Sequence, residues 1–579
     1  NLPSNEVQGL KSKIVSLLIF LTALYAYTFT LAPTVIEGDA ALFQYTPYVL
    51  GVTYPTGFPL YILIGKVWVT LFPFGEIAWR MNLFSALCSS VALVLIYNAA
   101  RRFFAPRLAG ARWAALATVL IFATLPTFWR WSTEAKTYGL NILLFSGVLY
   151  TAARAIEIVK SPLHSKNAGG QNAFWPPAFQ FSRRMLSQWS RQYPMALSLL
   201  LLGLFISVHN TAVLLVPGLL AMVWLNFTGQ RGQLKTWLIY LLCLVLPGLF
   251  YFYIPLRAEW LIATYNRQEA IERGLLADFY HSGLDGLVGY FAGVGFTEGV
   301  VANWGLVPLQ FFTVYLPLLI EDVTLFGLIL GLSGGLALAM ARPRIFVPFL
   351  LMYAVPIPFV IVYGQGEQSA FLLPSFLMFS FFAGYTLIFV VEILIKFLTS
   401  YLPHTKQDIS RTSLYVLRSV PPVLLLMLIL FLILPQIRHN ITWLSIKWNR
   451  NIYNEWATTL NHPLESGAGM LAHWGDLTSF WYMQHAEGYR PDLRGIYPPD
   501  ENIVINWFKR GNPDMYIAGP LQGWAAGIEE RYQLVPWGRL VRIAPRHVDP
   551  RSLLPDLPQV VETTFSDTLH LLHADYAPQ

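Results

Sequence analysis

Residues 13–31 read KIVSLLIFLTALYAYTFTL, and residues 32–40 continue APTVIEGDA. The first stretch is apolar behind Lys13 and matches the ~20 residues a helix needs to cross a bilayer. The second sets two carboxylates, Glu37 and Asp39, just past its end. Charges beside a hydrocarbon core are costly, so their placement asks for a reason. Comparable apolar runs recur at 236–256 and 413–437. The chain has 579 residues, of which 55% are hydrophobic and only 12% charged. Soluble domains carry about 25% charged residues. The fold class is therefore a polytopic α-helical membrane protein, not one soluble domain.

Basic residues orient the spans, because Lys and Arg collect in short cytoplasmic loops. They cluster at Lys11 and Lys13, at Arg101, Arg102, Arg107 and Arg112, and from Lys160 to Arg191. Further clusters lie at Arg231 and Lys235, at Arg342 and Arg344, and from Lys396 to Arg411. Placing all of them inside predicts spans near 13–31, 80–99, 113–129, 138–158, 194–210, 211–226, 236–257, 323–341, 345–363, 370–397 and 413–436. That is about 11 spans, with the N-terminus cytoplasmic and the C-terminus extracytoplasmic, in a cell (inner or plasma) membrane. Segments 59–74 and 305–320 would reverse this parity if they crossed, so they read as interfacial. The first span lacks a small-residue cleavage pattern and reads as a retained anchor. The formal charge of +7 resides in these loops and predicts no nucleic-acid partner. Cys88 and Cys243 sit in apolar runs and form neither a disulfide framework nor a metal spacing.

Two domains follow: a transmembrane domain at 1–436 and an extracytoplasmic α/β domain at 437–579. The first carries outer loops 32–79 and 258–304. The loop 160–193 is polar, basic and expected to be mobile. In the tail, 469–474, 492–497, 515–518 and 539–543 have strand patterns, and 565–576 has strand-like patches. Segments 476–488 and 501–509 have helix patterns, with Asp476 as the expected N-cap of the first. Strand and helix alternate, which favours a small α/β unit.

The polar residues beside the spans share one predicted side. They are Glu37 and Asp39, Glu134 and Lys136, His209, Arg257 and Glu367. Each admits a plain reading and a chemical one. Glu37 and Asp39 suit a solvated loop or a general base, which needs a carboxylate near an acceptor hydroxyl. Glu134 and Lys136 suit an internal ion pair, or Lys136 an anionic phosphate. His209 suits a hairpin cap or a catalytic imidazole. Arg257 suits snorkelling or phosphate recognition by its planar fork. Glu367 suits an exposed loop or the same polar site. No Walker loop, HExxH, paired-Cys or Gly-x-Ser-x-Gly context appears, so nucleotide and zinc hydrolysis find no support.

In order, these patches resemble the bacterial protein-O-mannosyltransferase-like family of GT-C membrane glycosyltransferases. Glu37–Gly–Asp39 and the turn Tyr54–Pro–Thr–Gly–Phe–Pro59 are similar to its opening, which has an acid, a second acid and a His-Pro-Pro-Gly turn. Asp39 matches the first acid, Leu42 stands at the second, and Tyr54 replaces the His. Arg80–Met–Asn82, Glu134 with Lys136 and Tyr138, His209, and Tyr253–Arg257 resemble later elements. So do Glu367 with Phe371 and Pro374, Trp474–Gly–Asp476, and Arg490–Pro–Asp492. The resemblance implies a GT-C-like fold and transfer of a hexose, such as mannose, from a polyprenyl-phosphate donor to a hydroxyl on a protein or glycolipid acceptor. Asp39, with Glu37 beside it, would act as base. Arg257, Lys136 and His209 would hold the phosphate. Glu134, Tyr138, Tyr54, Glu367, Asp476, Arg490 and Asp492 are further site candidates. No cofactor is required by the pattern, and a divalent metal, Mg or Mn, stays open. Membrane lipids and a larger membrane complex are the other expected partners.

Two rival readings remain. A transporter would show broken helices in paired halves near the midplane, and no such halves are found. A non-catalytic structural subunit of a larger membrane assembly fits the absence of an acid at Leu42.

Overall fold

The computed structural model describes residues 4–571, except 105–109, 161–176, 228–233, 294–303, 364–366, 401–410, 499–500, 520–527, 529–530, 547–562 and 567–568. Residues 161–176 of the loop at 160–193 and most of the cluster from Lys396 to Arg411, with Arg107, Arg231 and parts of 565–576, fall outside the described residues, whereas the loop from Pro177 onward is already helical, in the helix Pro177–Val208.

The first helices fix the site. Helix α1 (Ser4–Thr30) ends where the chain turns polar, and α2 (Asp39–Val49) starts directly after Gly38. Helix α3 (Pro59–Leu71) opens on a proline, which suits the first helical turn because its missing N–H would be unpaired there anyway. Helix α4 (Ile77–Phe103) is a full span and packs on α1. Helices α5 (Ala111–Thr124) and α6 (Pro126–Thr133) are one apolar run bent by 66°. Pro126 follows the break, as expected of a residue that cannot continue the ladder. Helix α7 (Tyr138–Lys160) returns against α4.

Seven helices among the described residues are long and apolar enough to cross a membrane, or eight with the bent pair. Tyr193–Val208 and Asn210–Asn226 are apolar but shorter. The expected count of about eleven also includes the two shorter runs, 194–210 and 211–226, and the run 413–436, which lies in helix Arg411–Trp443. Segment 305–320, expected to lie at the interface, is continuous with the apolar run Trp304–Ala341, which has non-helical dihedrals at Thr324. In that run Gly334 lies against helix Leu373–Ser400 so closely that a Cβ would overlap the Phe382 carbonyl.

The C-terminal part forms a five-stranded sheet in the order 494–496, 469–472, 515–518, 540–545, 532–537, followed by a separate antiparallel pair, Thr563–Ser566 with Leu569–Leu571. Strands β1 (Gly469–Ala472), β2 (Arg494–Ile496) and β3 (Met515–Ala518) are parallel, and Leu471 sits in register between Ile496 and Ile517. Strands β4 (Tyr532–Trp537) and β5 (Leu540–Pro545) close it as an antiparallel pair. The sequence reading missed β4. Its Pro536 breaks the strand pattern, yet an edge strand tolerates proline. Helix Trp474–Ala486 begins two residues earlier than expected, so His473 and not Asp476 stands at the cap, without a side-chain cap bond.

This helix joins the sheet to the membrane half. Ala41, Leu42 and Tyr45 of α2 share one buried apolar cluster with Leu477, Phe480 and Trp481. Leu42, 3% exposed, occupies that seam. An ionised side chain there would lose its water without a partner, which accounts physically for an apolar residue at this position. The Trp481 indole also donates to Glu272 O (3.0 Å), and His485 Nε2 lies 2.7 Å from Arg273 O. Loops 32–79 and 258–304 meet as well: Val52 N donates to Leu275 O and Ala277 N to Val52 O, both at 2.8 Å.

Candidate active site

Gly38 holds φ +72°, a conformation that L side chains rarely adopt. It turns the chain so that Asp39 begins α2 at the edge of a cavity of about 540 Å³. The α6–α7 link brings Lys136 to the same edge, and Glu367 precedes the short helix Gln368–Phe371.

These groups form one network. Lys136 Nζ donates to Glu367 Oε1 at 2.6 Å and stands 3.5 Å from Asp39 Oδ2. Tyr138 donates to Glu367 Oε2 at 2.9 Å. Tyr54 donates to Asp39 Oδ2 at 2.7 Å, and the Trp474 indole donates to Asp39 Oδ1 at 2.8 Å. The Lys136 side chain is only 5% exposed, and the two carboxylates beside it compensate its burial. Burial and the adjoining Asp39 push the Tyr54 phenol well above its ordinary range, so Tyr54 is a donor, not a base.

His209 also lines the cavity. Its Nδ1 lies 2.8 Å from Thr211 Oγ1, and its ring packs against Phe58 and Phe371. The remaining wall is mostly aromatic, with Phe43, Tyr363, Phe279 and Tyr497. Such faces suit the apolar side of a sugar ring or an isoprenoid, while the polar edge fixes orientation.

The structure thus brings together Asp39, Tyr54, Lys136, Tyr138, His209 and Glu367. Other residues singled out in the sequence lie elsewhere. Glu134 is buried behind the link, 3.4 Å from Arg130 Nε; burial pushes its carboxyl up, opposed by Arg130 and Lys136. Glu37 does not line the cavity and lies near Asp476, whose carboxyl is pushed up by burial and by Glu37. Arg490 and Asp492 pair with each other at 2.8 Å, away from the cavity. Arg257 donates to the carbonyls of Leu50 (2.7 Å) and Val49 (3.0 Å), stacks on Trp260, and lines a second cavity of about 260 Å³ with Arg273 and His485. It holds the C-terminal end of α2 and lines this second cavity rather than the one that Asp39 borders. Trp474 was legible only as part of a Trp-Gly-Asp pattern, and nothing in the sequence pointed to its bond with Asp39.

Among the described residues, no group of three or more His, Cys, Asp or Glu stands close enough to hold a metal ion. The two carboxylates nearest each other in the cavity are already bridged by the Lys136 ammonium. The described residues do not form a divalent-metal site.

Residues 39–232 match the family model described as the protein O-mannosyl-transferase TMEM260 N-terminal domain. The mouse protein O-mannosyl-transferase TMEM260 is 29% identical over 153 residues, 26% of this chain and 21% of that protein. The Dictyostelium discoideum protein of the same description is 24% identical over 224 residues, 38% of this chain and 24% of that protein. The matched stretches therefore span about a quarter or less of the curated relatives. In three dimensions the chain is similar to ArnT from Cupriavidus metallidurans in the apo state, with a TM-score of 0.52 at 11% identity over 93% of this chain and 98% of that one. At that identity the likeness concerns the fold alone.

Proposed function

We propose that this O-mannosyltransferase-like membrane chain of GT-C fold transfers a hexose, with mannose the first candidate, from a polyprenyl-phosphate donor to a hydroxyl of a protein or glycolipid. The observation that carries the reading is the meeting of Asp39, Lys136 and Glu367 on one aromatic-walled cavity. Asp39 and Lys136 lie inside the stretch that matches the O-mannosyltransferase model.

The chemistry follows from the atoms present. The acceptor hydroxyl gives its proton to Asp39 while its oxygen attacks the anomeric carbon. The bond from that carbon to the phosphate oxygen breaks, and the phosphate leaves with the electron pair, inverting the centre. Asp39 Oδ1 receives one bond, from Trp474, and keeps a lone pair for the acceptor proton. Lys136 supplies positive charge where the leaving oxygen develops negative charge. Glu367 and Tyr138 fix the ammonium in place. The cavity opens, in this reading, to the extracytoplasmic side of the cell membrane, with the small sheet unit on that side, where a protein acceptor would dock.

The test is transfer of radiolabelled hexose from polyprenyl-phosphate donors by the purified chain in nanodiscs, with Asp39→Asn in parallel. Loss of the base is expected to slow transfer about 10²–10⁴-fold. Absence of transfer with every hexose donor and with both acceptor classes contradicts the enzyme reading. A fully active Asp39→Asn contradicts the base assignment.

A further inference from the structure

We infer that Trp474 is a positioning residue for Asp39, so that docking of the C-terminal sheet unit completes the carboxylate that acts on the acceptor. This inference rests on the reading of Asp39 as general base. The two residues are 435 positions apart, yet the indole N–H reaches Asp39 Oδ1 at 2.8 Å. Contacts to the Gly38 backbone hold them in register: Gly38 N donates to Gly475 O at 3.2 Å, and the Thr478 hydroxyl Oγ1 donates to Gly38 O at 2.8 Å. The helix that starts at Trp474 therefore binds the residue immediately before Asp39 and Asp39 itself.

The division of donors on Asp39 gives the bond a purpose. Oδ2 faces the Tyr54 hydroxyl and, at 3.5 Å, the Lys136 ammonium. Oδ1 faces the C-terminal unit. A carboxylate free to rotate about its terminal torsion, which has broad wells, would present either oxygen to the acceptor. With Tyr54 on one oxygen and Trp474 on the other, its plane is set, and only Oδ1 retains room for an acceptor proton. The Trp474 ring is itself held between Tyr54 (centroids 6.0 Å apart) and Tyr497 (5.5 Å). Tyr497 follows β2, so a second residue of the sheet unit lines the same cavity. The acceptor side of the site is thus incomplete without residues 474–497.

The full chain in nanodiscs supplies the test. Trp474→Phe keeps an aromatic ring and deletes the donor. Transfer at saturating donor falls about 10- to 100-fold, the value of one hydrogen bond to a charged group, while KM for the donor is unchanged. The acidic limb of the pH–rate profile moves to higher pH, because a carboxylate that loses a donor is protonated more easily. Tyr497→Leu removes packing against Trp474 but no donor to Asp39, and leaves that limb where it was. A readout independent of turnover is the fluorine NMR shift of a fluorotryptophan placed at 474, which Asp39→Ala is expected to displace. An undisplaced resonance overturns the inference whatever the activity. If the resonance moves but the wild-type chain transfers nothing, the base reading fails and the contact stands. If the wild-type chain is active, Asp39→Asn is not, and Trp474→Phe keeps the wild-type rate and limb, the positioning inference fails alone.

Discussion

The two ends of helix α2 bear opposite chemistry. At its first residue, Asp39 meets Lys136 and Glu367 beside the larger cavity. At its last turn the carbonyls of Val49 and Leu50 are held by Arg257 beside a second cavity lined by two arginines and no carboxylate. An 11-residue helix rises about 16 Å. That distance separates a group able to take a proton from a group that caps backbone. Residues predicted on one face of the membrane therefore do not all share one site.

Breaking the first end has the largest expected effect. Lys136→Gln removes the only Lys or Arg that lines the larger cavity among the described residues and leaves Asp39 and Glu367 without their bridge. Transfer is expected to fall about 10²–10³-fold, the scale of losing one preorganised charge partner. Steady-state rates check this. Leu42→Asp tests the seam between α2 and the sheet unit. Although it supplies an acid where the O-mannosyltransferase-like pattern has one, it buries an unpaired carboxylate among Leu477, Phe480 and Trp481. A loss of roughly 3 kcal/mol or more is expected, read as a fall in thermal stability and easier proteolysis of the C-terminal unit, with no gain in activity.

Perturbing the second end should be milder. Arg257→Gln frees two carbonyls at the end of α2 and costs about 1–3 kcal/mol of stability. The subtlest effect is in pH. His485 stacks on Tyr45 and sits against the Arg273 carbonyl, and burial holds its imidazole below the ordinary range. Below about pH 6.5 the unfolded chain binds a proton that the folded one resists, so stability falls as pH drops from there toward the lowered folded value. His485→Gln is expected to flatten that slope in thermal melts. The Arg490–Asp492 pair works in a lower window. Its carboxyl is held at about 2, so its stabilisation is present above about pH 4 and fades as pH falls toward 2.

Span lengths and the small sheet were legible because hydropathy and strand alternation act over neighbouring residues. The chain does have a membrane-helical fold with a small C-terminal sheet, similar in three dimensions to ArnT. What escaped the sequence lies beyond hydropathy. The 66° bend at Pro126 is a local proline break that a hydropathy window passes over, and the run Trp304–Ala341 continues across Thr324 despite its non-helical dihedrals. Strand β4 was hidden by Pro536, harmless only because the strand lies at the sheet edge. Asp39 and Lys136 stand out as charges beside apolar runs. Trp474, an aromatic in a soluble-looking tail, carries no such signal, and its role emerges only when the sheet unit docks on α2.

The sharpest measurement sets the two ends of α2 against each other: single-turnover sugar transfer at saturating donor for Asp39→Asn and Arg257→Gln, side by side. The account predicts a fall of about 10²–10⁴-fold for Asp39→Asn, while Arg257→Gln keeps most of the chemical rate despite a lower melting temperature. The reverse order, an intact rate in Asp39→Asn with collapse in Arg257→Gln, would place the chemistry at the other end of the helix and contradict the account.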